Sequence, residues 1–195
     1  MRCSAIERSR FAKKPQDTAS QFDEKLLGPA LLENDVPWAF VILPQHVSAK
    51  LPRRGRTTVK GSLNGHGFQA TLEPDGQLSH WLRIDAALLD VAGVQIGDIV
   101  SFEMMSLEQE PEPEVPADLQ QALLANQQAN TVWHDTTTIA RLDWIHWITS
   151  AKQAKTRAKR ILNACDMLAG GKSRVCCFDP SGYYSKAFCP PKAAE

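Results

Sequence analysis

Net charge, long apolar runs and internal repeats are all missing from this sequence. Its 22 lysines and arginines are matched by 22 aspartates and glutamates. That excludes a generally basic nucleic-acid coat and leaves only local patches. The longest apolar run is Trp38-Ala-Phe-Val-Ile-Leu43, far short of the roughly 20 residues that cross a membrane as a helix. The opening MRCSAIERSRFAKK has basic residues but no apolar stretch behind them, unlike a secretory signal. Cysteine is scarce and odd in number: Cys3, Cys165, Cys176, Cys177 and Cys189 do not have the spacing of a disulfide framework. A reducing cytoplasm is therefore expected. A nucleophile elbow, a Walker loop and a dinucleotide fingerprint are also lacking. Adjacent Cys176 and Cys177 lack the two to four residues that usually separate paired zinc ligands. No metal, no cofactor and no catalytic residue is expected.

What is present falls into regions of different period. At 195 residues the chain suits one large or two small domains. Its 43% hydrophobic and 23% charged residues are those of a globular protein that buries about 70% of its surface. Residues 1–20 are polar, aperiodic and basic through Arg2, Arg8, Arg10, Lys13 and Lys14, and read as a flexible tail. Residues 21–107 read as short strands over Gln21–Leu27, Pro37–Leu43, Gly55–Leu63, Phe68–Leu72, His80–Ile84 and Ile99–Met105. A short helix, Ala86–Ala92, lies between Asp85 as N-cap and Gly93 as stop. Asn64-Gly65 marks a hairpin, because both residues tolerate the positive φ of a tight turn. Short strands at this spacing predict a small barrel rather than a parallel sheet.

The segment 108–116, EQEPEPEVP, combines self-repelling glutamates with prolines and reads as an extended linker. From 117 to 172 the period is helical. Leu119, Ala122 and Leu123 form the first stripe, and further helices are expected at Gln127–His134, Thr138–Ala151 and Gln153–Ala169. In the third helix Ala140, Trp144, Trp147, Ile148 and Ala151 share one face, with Asp143, His146 and Ser150 on the opposite, solvent side. The fourth is expected to bury Ala154, Ala158, Ile161, Leu162, Cys165 and Leu168. Residues 173–195 read as a C-terminal arm or hairpin turning at Asp179-Pro-Ser-Gly182.

Two sets of residues are similar to known families. Pro37-Trp-Ala-Phe-Val-Ile-Leu-Pro44, Arg54-Gly-Arg56, Val59-Lys-Gly61, Asn64-Gly65, Phe68 and Gly97-Asp98 resemble a small-barrel family of bacterial proteins of unknown function. Val115-Pro-Ala-Asp-Leu119, Trp144-Ile, Ala151-Lys152 and Thr156-Arg157-Ala-Lys-Arg160-Ile161 resemble the helical YdeI/OmpD-associated, or bacteriocin-protection, domain. The resemblance covers about residues 21–172. It implies an α+β chain, with a small double-split β-barrel of AbrB/MazE-like architecture followed by a helical bundle. It brings no established activity, cofactor or catalytic residue, and its link to bacteriocin tolerance is associational.

One charge cluster stands out. Lys152, Lys155, Arg157, Lys159, Arg160, Lys172 and Arg174 are seven positive residues opposed only by Asp166, leaving +6 across 152–174. Lys152, Lys155 and Lys159 share a solvent-facing sector, while Arg157 borders the apolar face. Lys152, Lys155, Lys159, Arg160, Lys172 and Arg174 are the candidate binding surface. Arg157 is expected to be a structural anchor paired with a carboxylate of its own domain, and its loss to cost roughly 1–3 kcal/mol. The acidic linker is expected to repel anions or to cover the basic helix. Trp144 and Trp147 are candidates for core or for lining a ligand. Asp143 and His146, three residues apart on an exposed helix face, could orient a general base or supply two metal ligands, but no nucleophile or third ligand follows at a telling distance. The reading that follows is a non-enzymatic cytoplasmic interaction protein with an acidic protein partner, in stress or antimicrobial-peptide tolerance. A nucleic-acid-binding regulator using 152–174, and an enzyme using the Asp143/His146 face, are the alternatives.

Overall fold

The computed structural model describes residues 19–31 and 36–194; the expected N-terminal tail lies outside them except for its last two residues. Six strands form one antiparallel sheet: β1 (Ser20–Lys25), β2 (Ala39–Ile42), β3 (Thr57–Leu63), β4 (His66–Pro74), β5 (His80–Ile84) and β6 (Ile99–Ser106). Their order across the sheet is β1-β6-β3-β4-β5-β2. The Asn64-Gly65 turn joins β3 to β4 with φ of 47° and 87° and sets Leu63 opposite His66. β4 runs on past its pairing with β3, and Glu73 and Pro74 pair with Trp81 and His80 of β5. That overrun curls the sheet into a half-barrel. Leu27 and Phe40 exchange amide bonds of 2.9 and 2.8 Å and bring the two outer strands together. Gly61 sits where β6 crosses closest, since an added Cβ would lie 2.2 Å from the Glu103 carbonyl.

Period-2 alternation fills the interior. Along β6, Val100, Phe102 and Met104 are buried and Ile99, Ser101 and Glu103 exposed. With Leu26, Val41, Leu43, Val59, Leu63, Leu72, Leu82 and Ile84 they make the barrel core. Two short helices pack beside it, α1 (Gln45–Ser48) and α2 (Ala86–Ala92). Asp85 caps α2 by accepting from Leu88 N at 2.9 Å, and Gly93 ends it at φ 63°. α1 is a single turn started by Pro44, too short to carry a periodicity, and the sequence reading lacks it.

The second half is four helices: α3 (Ala117–Ala125), α4 (Gln127–Asp135), α5 (Thr138–Thr149) and α6 (Ala154–Ala169). Asn126 caps α4 through Ala129 N at 3.0 Å, and Thr137 caps α5 through Ala140 N at 3.2 Å. Leu119, Leu123, Trp133, Trp144, Ile148, Ile161, Cys165 and Leu168 form their core. Two expectations fail here. Ala154, Ala158 and Leu162 of α6 are exposed, Leu162 to 65%, because the buried stripe is Ile161, Ala164, Cys165 and Leu168. Leu162 lies about 100° around the helix from Ile161. On α5, His146 is buried at 2% exposure instead of facing solvent, because the barrel and the chain after α6 cover that side.

The segment between β6 and α3 has neither helix nor strand, and it is held at two points. The Glu110 carboxylate accepts from Thr58 N at 3.0 Å and from the Thr58 hydroxyl. Glu112 takes a bidentate pair from Arg141 at 2.6 and 2.8 Å, which holds its carboxyl below the usual carboxylate range. These glutamates are thus tied to β3 and α5, not laid over the lysines of α6. After Gly171, an arm without a strand ladder crosses α5 and returns to the barrel. Its end is fixed by Ala30 N to Lys192 O at 2.7 Å and Ala194 N to Gly28 O at 2.8 Å.

Candidate functional site

The basic cluster divides by what each side chain already touches. Lys152, Lys155 and Lys159 are exposed and make no ion pair among the described residues. Lys155, Lys159 and Leu162 follow one another at i, i+4 and i+7 along one exposed stripe of α6. Arg157 pairs bidentately with Asp118 at the start of α3, Nε to Oδ2 at 2.7 Å and Nη2 to Oδ1 at 2.9 Å. The bond pushes the Arg157 guanidinium up and the Asp118 carboxyl down. Arg157 and Asp118 are nevertheless 30% and 46% exposed. Water screens such a pair, so Arg157→Ala is expected to cost no more than about 1 kcal/mol, below the range expected from sequence. Urea midpoints of Arg157→Ala beside Lys155→Ala, which should stay within about 0.5 kcal/mol of the parent, check this.

Arg160 is not a free surface cation. Its Nη1 donates to the Trp147 carbonyl and, at 3.0 Å, to Ser150 Oγ, with the guanidinium 5.4 Å from the Trp147 ring centroid. It satisfies a carbonyl at the end of α5, where a cation is favoured by the exposed C=O groups. Trp144 is fully buried in the helical core and cannot line a ligand. Trp147 is half-buried and meets it edge-on at 6.0 Å. Lys172 and Arg174 are exposed at the root of the arm.

Asp143 and His146 are brought together with residues of the barrel. Asp143 pairs with Arg53, from the segment before β3. Burial pushes the Asp143 carboxyl up, and Arg53 and Arg174 oppose that rise. Arg56 Nε meets Glu73 Oε2 of β4 at 2.9 Å, and its Nη1 reaches Thr149 Oγ1 of α5 at 3.4 Å. His146 Nε2 lies 3.9 Å from that same Glu73 oxygen. The arm closes the cluster: Phe188 stacks on the imidazole at 4.4 Å and Phe178 meets it edge-on at 5.4 Å. Burial, reinforced by the positive charge of Arg56 and Arg53, lowers His146 to about 3. The imidazole is therefore neutral at pH 7, and its Nδ1 has no hydrogen-bond partner among the described residues.

This arrangement is a junction of two domains built from ion pairs and an aromatic clamp. A neutral imidazole of such low basicity, walled by two rings, is poorly placed to take a proton from a substrate. A surface pocket of about 590 Å³ nearby is lined by Gln45, Asp75, Leu78, Tyr183, Lys186 and Phe188, and by neither Asp143 nor His146. Among the described residues no three histidine, cysteine or acidic side chains are grouped to hold a metal. Arg53, Arg56, Glu73, Phe178 and Phe188 escaped the sequence reading. Some signal was present: three arginines in Arg53-Arg54-Gly-Arg56, and two short apolar runs in the C-terminal segment, each with a phenylalanine.

Comparison with known families falls on the same division. Residues 30–104 match a domain of unknown function, DUF1905, and residues 112–171 match the bacteriocin-protection, YdeI or OmpD-associated domain. The chain carries these two domains in tandem. A search of curated proteins finds no match. In the OmpD-associated domain lie α3 to α6, Asp118, Asp143, His146 and the lysine stripe; in the DUF1905 domain lie Arg53, Arg56 and Glu73. Phe178 and Phe188 belong to neither matched stretch.

Proposed function

We propose that this tandem protein is a non-enzymatic, cytoplasmic interaction protein. In this reading it docks an acidic protein partner on the lysine stripe of α6, in a role related to bacteriocin protection. The observation that carries the reading is the division of the cluster. Arg157 and Arg160 are engaged internally, whereas Lys152, Lys155 and Lys159 are exposed and make no ion pair among the described residues. Exposed charge of one sign mainly assists encounter with an opposite surface. Leu162, 65% exposed beside the lysines, gives such a partner an apolar contact. Stacking aromatics that would favour single-stranded nucleic acid are missing from this stripe. The description of the second domain supports the bacteriocin-related role. The free thiols among the described cysteines suit a reducing compartment.

The test is capture from a native lysate with nucleic acid digested or retained, comparing the parent chain with Lys155→Glu/Lys159→Glu. Charge reversal is expected to weaken retention of a protein partner about tenfold or more at low salt and to flatten its salt dependence. Retention unchanged in strength and salt response would remove α6 as the site. Retention abolished by nuclease would turn the reading to nucleic acid.

A further inference from the structure

Cys176 and Cys177 are exposed, and their sulfurs lie 3.3 Å apart. Adjacent side chains on extended backbone point to opposite faces, so contact between neighbouring thiols needs a special bend. Cys177 supplies it, with φ of 57° in the left-handed region that non-glycine residues rarely enter. The bend is held from the following side. Phe178 packs on His146. The Asp179 carboxylate accepts from Ser181 Oγ at 2.7 Å, Tyr184 N at 2.9 Å and Ser185 N at 3.0 Å. Neither sulfur belongs to a hydrophobic core, so packing does not account for the pair. Cys165, by contrast, is buried among the helices.

We propose that Cys176 and Cys177 form a reversible dithiol–disulfide couple toward low-molecular-weight disulfides, one sulfur attacking and its neighbour resolving. In the first step the thiolate of one cysteine of the pair attacks one sulfur of the small disulfide. That S–S bond breaks, and one small thiolate leaves with the bonding pair. In the second step the neighbouring cysteine gives up its proton and attacks the protein sulfur of the mixed disulfide, the mixed bond breaks, and the second small thiolate leaves. Two protein thiols are oxidised by two electrons and one small disulfide is reduced to two thiols. The two protons lost by the protein balance those the leaving thiolates take up. The contact between the sulfurs keeps the resolving thiol beside the mixed disulfide, so the second step is intramolecular. Closing a ring through a single peptide bond strains the product, and the pair is exposed, so the disulfide is readily reduced again. That is the behaviour of a switch rather than of a staple.

The full-length chain is treated with glutathione disulfide, quenched with an alkylating reagent, digested and read by mass spectrometry. The peptide holding both residues is expected to escape alkylation, to weigh less by two hydrogens, and to regain two alkylatable thiols after dithiothreitol. Cys177→Ser is expected to accumulate a stable glutathione adduct on Cys176. Cys176→Ser is expected to accumulate the corresponding adduct on Cys177. A parent chain that stays a dithiol, stops at the mixed adduct, or links either residue to Cys189 or to a second chain would overturn the couple.

Discussion

Replacing Arg53 by alanine is expected to destabilise the chain by about 2–4 kcal/mol, as when one partner of a largely buried ion pair is removed. Arg53 and Asp143 come from different domains, 90 residues apart in sequence, with side chains 16% and 22% exposed. Burial alone raises the Asp143 carboxyl, and Arg53 is the largest influence holding it down. Without the guanidinium the carboxylate is left with little water and only the weaker influence of Arg174, and it takes up a proton or the domains part. Asp143→Asn is expected to cost less, because an amide oxygen still accepts from Arg53 and no charge is stranded on that side of the contact. In the double variant the losses should sum to less than the two single losses, since the residues share one contact. Urea unfolding followed by tryptophan fluorescence and by far-ultraviolet circular dichroism measures all three. Trp133, Trp144 and Trp147 report the helical domain and Trp38 and Trp81 the barrel. Arg53→Ala should therefore separate transitions that coincide in the parent chain. A midpoint equal to the parent's, with coincident transitions, would show that this pair does not couple the domains.

The ease of reading this fold varied with how local each cause is. Asn64-Gly65, the alternation along β6, and the Asp85 cap with its Gly93 stop are settled within a few residues, and the structure has each of them. The carboxylate partner of Arg157 was also within reach, because an arginine beside an apolar stripe needs one. The side of α5 bearing Asp143 and His146 was not. A helical wheel assumes one buried face, and α5 has its tryptophan side in the helical core and its polar side against the barrel and the arm. Arg160 misled for the same reason. It sits among lysines on a basic helix, yet its partners, the Trp147 carbonyl and Ser150, lie across a turn on the end of another element. Long-range pairing decides these residues, and neither composition nor periodicity records it.

That same hidden side of α5 should make the protein acid-sensitive well above the range in which carboxylates titrate. In the folded chain His146 takes up its proton only near pH 3, against 6.5 when unfolded. Between those values the unfolded chain binds a proton that the folded chain refuses. Stability therefore falls as pH drops from about 6.5, by up to roughly 1.4 kcal/mol for each pH unit per such group, reaching on the order of 4 kcal/mol by pH 3. His80, buried with Nδ1 at 2.8 Å from Ser48 Oγ, is also lowered by burial and acts with the same sign. Asp143 acts oppositely, because its folded carboxyl is raised and protonation there favours the folded form as pH falls. Asp179 enters last. Burial would raise it, but the bonds from Ser181, Ser185 and Tyr184 prevail and bring it to about 2, so its contribution is lost between about pH 4 and pH 2. Both histidines therefore withdraw stability as pH falls below 6.5. His146→Phe isolates one of them, since a third ring among Phe178 and Phe188 keeps the apolar stack and cannot titrate. Its stability at pH 7 is expected within about 1.5 kcal/mol of the parent, as for a swap of similar shape. Its loss of stability between pH 6.5 and 4 should be smaller than the parent's by close to one proton's worth of slope. Urea midpoints at pH 7, 6, 5 and 4 measure that slope directly. Parallel curves for the two chains would mean that His146 is protonated in the fold at these pH values, and that the clamp of Phe178 and Phe188 does not exclude the charge.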